Sequence, residues 1–135
     1  MARETKILVV DDDPDIRDVL IAILEGEGYK VVTACDGLDG LATLKAESPD
    51  LMILDLLMPK MDGYAVCKEL KDPRWSKHGN IPILVLSSVR EDASRRRYEL
   101  ETGLAMDVDD YVEKPISPPV IVERVRKLLK KRETG

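Results

Sequence analysis

A single histidine, two cysteines and no excess of basic charge narrow what this 135-residue chain can do before any motif is read. The cysteines, Cys35 and Cys67, form no CxxC and match no metal-ligand spacing, so each reads as a small buried apolar residue in a reducing compartment. The histidine, His78, lies in the polar loop "DPRWSKHGN" and reads as ordinary surface. Trp75 in the same loop either meets a partner or covers the helix before it. No apolar run approaches the roughly 20 residues of a membrane-spanning helix, and the start "MARETKILVV" lacks the long apolar region of a secretory signal. The expectation is a cytoplasmic protein with no membrane partner. A net charge of −5 argues against general nucleic-acid binding. The basic clusters, "RRR" at 95–97 and "KKR" at 130–132, read as solvated helix faces. No repeat, low-complexity stretch or Pro/Gly/Ser linker divides the chain, which leaves a single domain.

What the chain does contain is 44% hydrophobic and 35% charged residues, the balance of a globular protein with a busy surface. Short aliphatic runs recur at Ile7–Val10, Val31–Ala34, Leu51–Leu54 and Ile83–Leu86, with a weaker fifth at Val108–Val112. They lack period-two alternation, as strands covered on both faces do. Amphipathic segments separate them. Ile16, Val19, Leu20, Ile23 and Leu24 share one helix face, with Asp13 as cap, Pro14 at the first position and Gly26 or Gly28 to end it. A second helix is expected over about 37–46 and a third over 63–71 after Asp62. The fourth falls in the polar stretch "REDASRRRYELETGLAM", with little to bury. The last opens at "SPP" with Ser117 as cap; Ile121, Val125, Leu128 and Leu129 face the core, while Glu123, Arg124, Arg126 and Lys127 face water. Five strands alternating with five helices imply a doubly wound five-stranded parallel sheet of flavodoxin-like (βα)5 type, strand order 2-1-3-4-5.

In such a sheet the functional crevice lies beyond the carboxyl ends of the strands. Asp11, Asp12 and Asp13 follow the first strand, Asp55 the third, Ser87 and Ser88 the fourth, and Lys114-Pro115 the fifth. Asp11, Asp12, Asp55, Ser87 and Lys114 would converge there, with Asp13 serving as a helix cap. Crowded carboxylates repel, which raises at least one pKa until a cation relieves it. Oxygen ligands with open positions suit Mg²⁺, with Mn²⁺ as a substitute. Lys114 and Ser87 could meet phosphoryl oxygens, and Asp55 could be the nucleophile that becomes an aspartyl phosphate.

The strings "ILVVDDDPD", "LMILDLLMPKMDG", "IPILVLSS" and "DDYVEKPI", in this order, resemble the CheY-like response-regulator receiver domain of two-component signalling. The resemblance covers about residues 5–131, with 1–4 and 132–135 expected as flexible termini. It implies Asp55 as phosphoacceptor, Asp11 and Asp12 as the metal-binding acid pair, and the Leu57 backbone carbonyl as a third protein ligand. It further implies Ser87 as the switch hydroxyl, Lys114 as the phosphoryl-binding lysine and Tyr111 as the aromatic whose rotamer reports activation. The implied donor is a histidine kinase or phosphorelay partner. Output would pass by protein contact through the fourth helix, fifth strand and last helix to an unnamed downstream protein, without direct nucleic-acid binding. No enzymatic activity is implied beyond self-catalysed phosphoryl transfer to, and hydrolysis from, its own aspartate.

Three features depart from the family pattern. Ser87 replaces the commoner threonine and keeps the hydroxyl. The stretch from Ser87 to Lys114 is about four or five residues longer than usual, with the extra residues assigned to "ETGLAMDVDDY". Leu57 and Val89 stand at the two positions that flank the phosphoryl group; neither can orient a water, which predicts a long-lived phosphate. Two other readings compete. One is a phosphate-independent pseudo-receiver, although the acceptor, acid pair and lysine are all kept. The other is an aspartate-nucleophile phosphatase of the haloacid dehalogenase type, whose DxDxT/V signature "DDDPD" meets only in part.

Overall fold

The computed structural model describes residues 4–78, 80–87 and 108–134, with side chains to Lys131. Val89, the polar stretch expected as the fourth helix and the "RRR" cluster lie outside the described residues. The elements are β1 (Lys6–Val10), α1 (Pro14–Gly26), β2 (Lys30–Ala34), α2 (Gly37–Glu47) and β3 (Leu51–Asp55). They continue with α3 (Gly63–Glu69), a 3₁₀ turn (Pro73–Trp75), β4 (Ile83–Ser87), β5 (Asp110–Glu113) and α4 (Pro118–Thr134). The strands form one parallel sheet in the order β2-β1-β3-β4-β5, as expected.

The unbroken aliphatic runs are explained by cover on both faces. Leu8, Val10, Met52, Leu54, Ile83 and Val85 point to the side packed by Leu41 and Leu44 of α2 and Val66 and Cys67 of α3. Ile7, Val9, Leu51, Ile53, Leu84 and Leu86 point to the side packed by Leu20 and Leu24 of α1 and Ile121, Val125 and Leu128 of α4. Alternate residues of each strand thus enter opposite cores, so period two is present in direction and absent in polarity.

Caps set where the helices start. The Asp13, Asp36 and Asp62 carboxylates accept from the amides of Asp15, Asp39 and Ala65. Pro14 supplies the first turn of α1, and Gly28 just beyond its end takes φ +88°. α3 stops at Glu69, two residues short of expectation, because Asp72 caps the 3₁₀ turn that follows. α4 continues to Thr134, past the expected boundary at 131.

Four expectations need correction. Val108 is outside β5, since the amide of Asp109 donates to Ile83 O while its carboxylate accepts from Ile83 N, and regular pairing begins only at Asp110. Val19 is 46% exposed; it borders a small cleft with Ile16, Lys114, Pro115 and Ile116 instead of entering the core. Arg124 does not simply face water: its Nη1 lies 2.9 Å from each carboxylate oxygen of Asp110. Cys67 is buried as expected, whereas Cys35 is exposed, its thiol directed at the Asp36 and Asp39 carboxylates. Desolvation and those acids raise the Cys35 thiol pKa, which makes it a poor nucleophile. Trp75 proves to be a cover for α3: it packs on the core and its Nε1 donates to Glu69 Oε1 at 3.0 Å.

Candidate functional site

The carboxyl ends of β1, β3, β4 and β5 bring together the residues that the sequence placed there. Asp11 directly follows β1, its amide donating to Ala34 O at 3.1 Å, and it is 1% exposed. Asp55 closes β3 at 2% exposure, in register with Leu86. Asp12 is exposed beside them. Oxygens of Asp11, Asp12 and Asp55 lie within 4.8 Å of one another, the one such acid trio among the described residues.

Lys114 closes the site from β5. Its amide donates to Ser87 O at 2.7 Å, which ties the ends of β4 and β5 together. Its Nζ then reaches Asp55 Oδ1 at 3.3 Å. Ser87 is buried at the end of β4. Leu57, in the loop after β3, is 37% exposed. Tyr111 pairs in register with Val85 and is half-buried against the α2–α3 side of the core. Met58 and Met61 pack on that same core.

The glycine of "MPKMDG" is required by packing. A Cβ on Gly63 would lie 2.5 Å from Asp55 O and 2.9 Å from Leu56 Cα. Its amide donates to Leu56 O at 2.9 Å, which seats the start of α3 directly against the acidic strand end. The loop is also anchored to α2, where Gly37 N donates to Met61 O at 2.9 Å.

The electrostatics of the acid trio are uneven. Asp11 has its pKa raised to about 6, chiefly by burial and further by the neighbouring Asp55 charge. The Asp13 amide, 2.9 Å from Asp11 Oδ1, works the other way. Asp11 Oδ2 is the single buried side-chain polar atom among the described residues with no hydrogen-bond partner. A buried, unpartnered carboxylate oxygen facing two further carboxylates is the donor set of a hard divalent cation. Asp13, by contrast, is occupied as a cap. One contributor escaped the sequence reading: Arg17 of α1 donates from Nη1 to Asp11 O at 2.7 Å. Its spacing from Asp11 signals nothing until α1 folds back over the strand end.

Residues 7–126 match the family profile described as the response regulator receiver domain. The chain belongs to that family. It is 45% identical over 128 residues to a probable transcriptional regulator ycf27 of Cyanophora paradoxa, covering 95% of this chain and 49% of that protein. It is 40% identical over 128 residues to the alkaline phosphatase synthesis transcriptional regulatory protein PhoP of Bacillus subtilis, covering 95% of this chain and 50% of that one. The receiver domain thus spans about half the length of these curated relatives. A putative response regulator from Chloroflexus aurantiacus superposes with a TM-score of 0.77 at 32% identity, over 95% of this chain and 99% of that one. Receiver domains are signalling proteins of two-component systems and generally bind Mg²⁺, and the acid trio could hold such an ion. No described helix is long and apolar enough to cross a membrane.

Proposed function

We propose that this receiver domain is a phosphorylation-dependent switch that takes a phosphoryl group on Asp55 from a histidine kinase or phosphorelay partner. The observation that carries the proposal is the buried Asp55 carboxylate, 3.3 Å from Lys114 Nζ and beside the unpartnered Asp11 Oδ2. A carboxylate oxygen of Asp55 attacks phosphorus, forming the new P–O bond as the donor's bond to phosphorus breaks and the leaving group keeps the electron pair. Asp11, Asp12, Asp55 and the Leu57 carbonyl would hold Mg²⁺, which supplies neutralising charge for the crowded oxygens. Lys114 holds a fixed positive charge where the phosphoryl oxygens gather, and the Ser87 hydroxyl donates to one of them.

The acid trio gains negative charge on phosphorylation, so Ser87 and Lys114 are drawn toward Asp55. The backbone bond from Lys114 N to Ser87 O passes that movement between β4 and β5. Tyr111, three residues before Lys114, responds by repacking against the core, and protein contact reads the altered face. A ligand shifts such a two-state equilibrium only by its differential affinity for the two states. The net charge of −5 supports output by protein contact rather than by direct nucleic-acid binding of these residues.

Intact mass after incubation with acetyl phosphate and Mg²⁺ tests the reading, on the parent and on Asp55→Asn. The expected outcome is one added phosphoryl group that requires the metal and is absent in the variant, with slow decay because Leu57 and Val89 cannot orient water. A gain that survives in Asp55→Asn would sink the assignment, and rapid decay would sink the lifetime expectation alone.

A further inference from the structure

Asp11 has four polar groups, and three of them are held by the protein. Its amide donates to Ala34 O at 3.1 Å, its Oδ1 accepts from Asp13 N at 2.9 Å, and its carbonyl accepts from Arg17 Nη1 at 2.7 Å. Only Oδ2 is left without a partner, buried among the other carboxylates. The Arg17 contact differs from the other two. It comes from a side chain six residues on, and that residue's own amide donates to Asp13 O at 3.1 Å as part of the first turn of α1. Arg17 is half-buried.

The Asp11 carbonyl belongs to the peptide that joins Asp11 to Asp12. Holding that oxygen fixes the plane of the peptide, and with it the directions in which both carboxylates leave the backbone. We propose that Arg17 is a positioning residue for divalent-cation binding, a role that rests on the reading of the acid trio as the metal site. A donor to the carbonyl between two ligating residues does what outer partners do in metal sites generally: it limits the ligands to one orientation before the ion arrives.

Charge makes the proposal decisive. A guanidinium beside a cation site repels the cation, so Coulomb's law alone predicts that its removal tightens binding. A loss of affinity on removing Arg17 can therefore come only from lost positioning. The test is a calorimetric titration of MgCl₂ at constant ionic strength into the parent, Arg17→Met and Arg17→Lys, with urea unfolding of each as a control. Arg17→Met is expected to bind Mg²⁺ about tenfold more weakly than the parent while unfolding at a similar urea concentration. Arg17→Lys keeps the charge and one donor, and is expected to fall between the two. Arg17→Met binding as tightly as the parent, or more tightly, overturns the proposal. Should Arg17→Met fail to fold, Arg17→Ala takes its place, and parent-like or tighter binding in that variant overturns the proposal equally. A parent that binds no Mg²⁺ overturns the metal-site reading itself, and that result is distinct because it appears without any substitution.

Discussion

Aspartates stand at both edges of this sheet, and they are treated in opposite ways. At the amino ends, Asp50 is buried with its Oδ2 accepting from Lys6 N at 2.9 Å, and its own amide donates to Lys6 O at 2.7 Å. Asp109 does the same for Ile83, and Asp110 holds Arg124. These acids complete the ladder where the strands begin. At the carboxyl ends, Asp11 and Asp55 are buried as deeply, yet Asp11 Oδ2 has no partner and the acids crowd one another. Asp50 and Asp11 are therefore both buried, and satisfaction is what separates them. A buried carboxylate with all its bonds made stabilises the fold, whereas one held short of a partner is costly until something outside the chain arrives.

Breaking the comparison at its functional edge should give the largest effect. Asp11→Asn retains an acceptor for Asp13 N but removes the charge of a ligating carboxylate, so Mg²⁺ affinity is expected to fall by at least about a hundredfold, beyond the roughly tenfold to hundredfold cost of losing an outer partner. The same change should stabilise the metal-free protein at neutral pH. The native Asp11 pKa of about 6 exceeds its ordinary 3.8, so the folded state binds the extra proton between those values. Stability contributed by this group is present below its ordinary pKa of 3.8 and is lost as pH rises through about 6. The Asp11→Asn variant, which cannot ionise there, avoids that loss. Urea midpoints of parent and Asp11→Asn should therefore separate above about pH 6 and converge near the ordinary value of 3.8. A separation that grows on acidification would contradict the raised pKa.

At the structural edge the signs reverse. Asp50→Ala leaves the Lys6 amide without its acceptor and is expected to cost about 2 kcal/mol in urea unfolding. Mg²⁺ affinity should stay at the parental value, since Asp50 lies at the other end of β3. Equal losses of stability and metal affinity would show that the two edges are not separable. The smallest effect is expected from Arg124→Met. The pair with Asp110 has good geometry, but the arginine is more than a third exposed and solvent screens it. Its urea midpoint should move little, and less still at high salt.

Much of this architecture was legible in one dimension. The aliphatic runs located the strands to within a residue or two for β1 to β4, and Asp13-Pro14 and Asp62 marked helix starts that the structure keeps. The strand order and the rule that crevices form at carboxyl ends then gathered Asp11, Asp12, Asp55, Ser87 and Lys114 without any distance being known. The failures have a common cause. Val19 lay on the right helix face by periodicity, yet α1 covers the sheet with Leu20 and Leu24 and leaves Val19 at a cleft edge. Cys35 looked like a core residue by type, but it falls just past Ala34, where the chain has already left the sheet. Arg124 read as solvated because its partner, Asp110, is distant in the chain.

The sequence alone determined the kinds of element, their order, their caps and the edge at which the chemistry-bearing residues emerge. Those properties follow from backbone preferences and from the period of apolar side chains, both local. Only the tertiary structure decided which acid is starved of partners, which arginine holds the acid-bearing turn, why position 63 admits no Cβ and which cysteine meets solvent. Hydrogen-bond completion and loss of solvent are set by atoms that arrive from remote parts of the chain, so no local pattern can carry them.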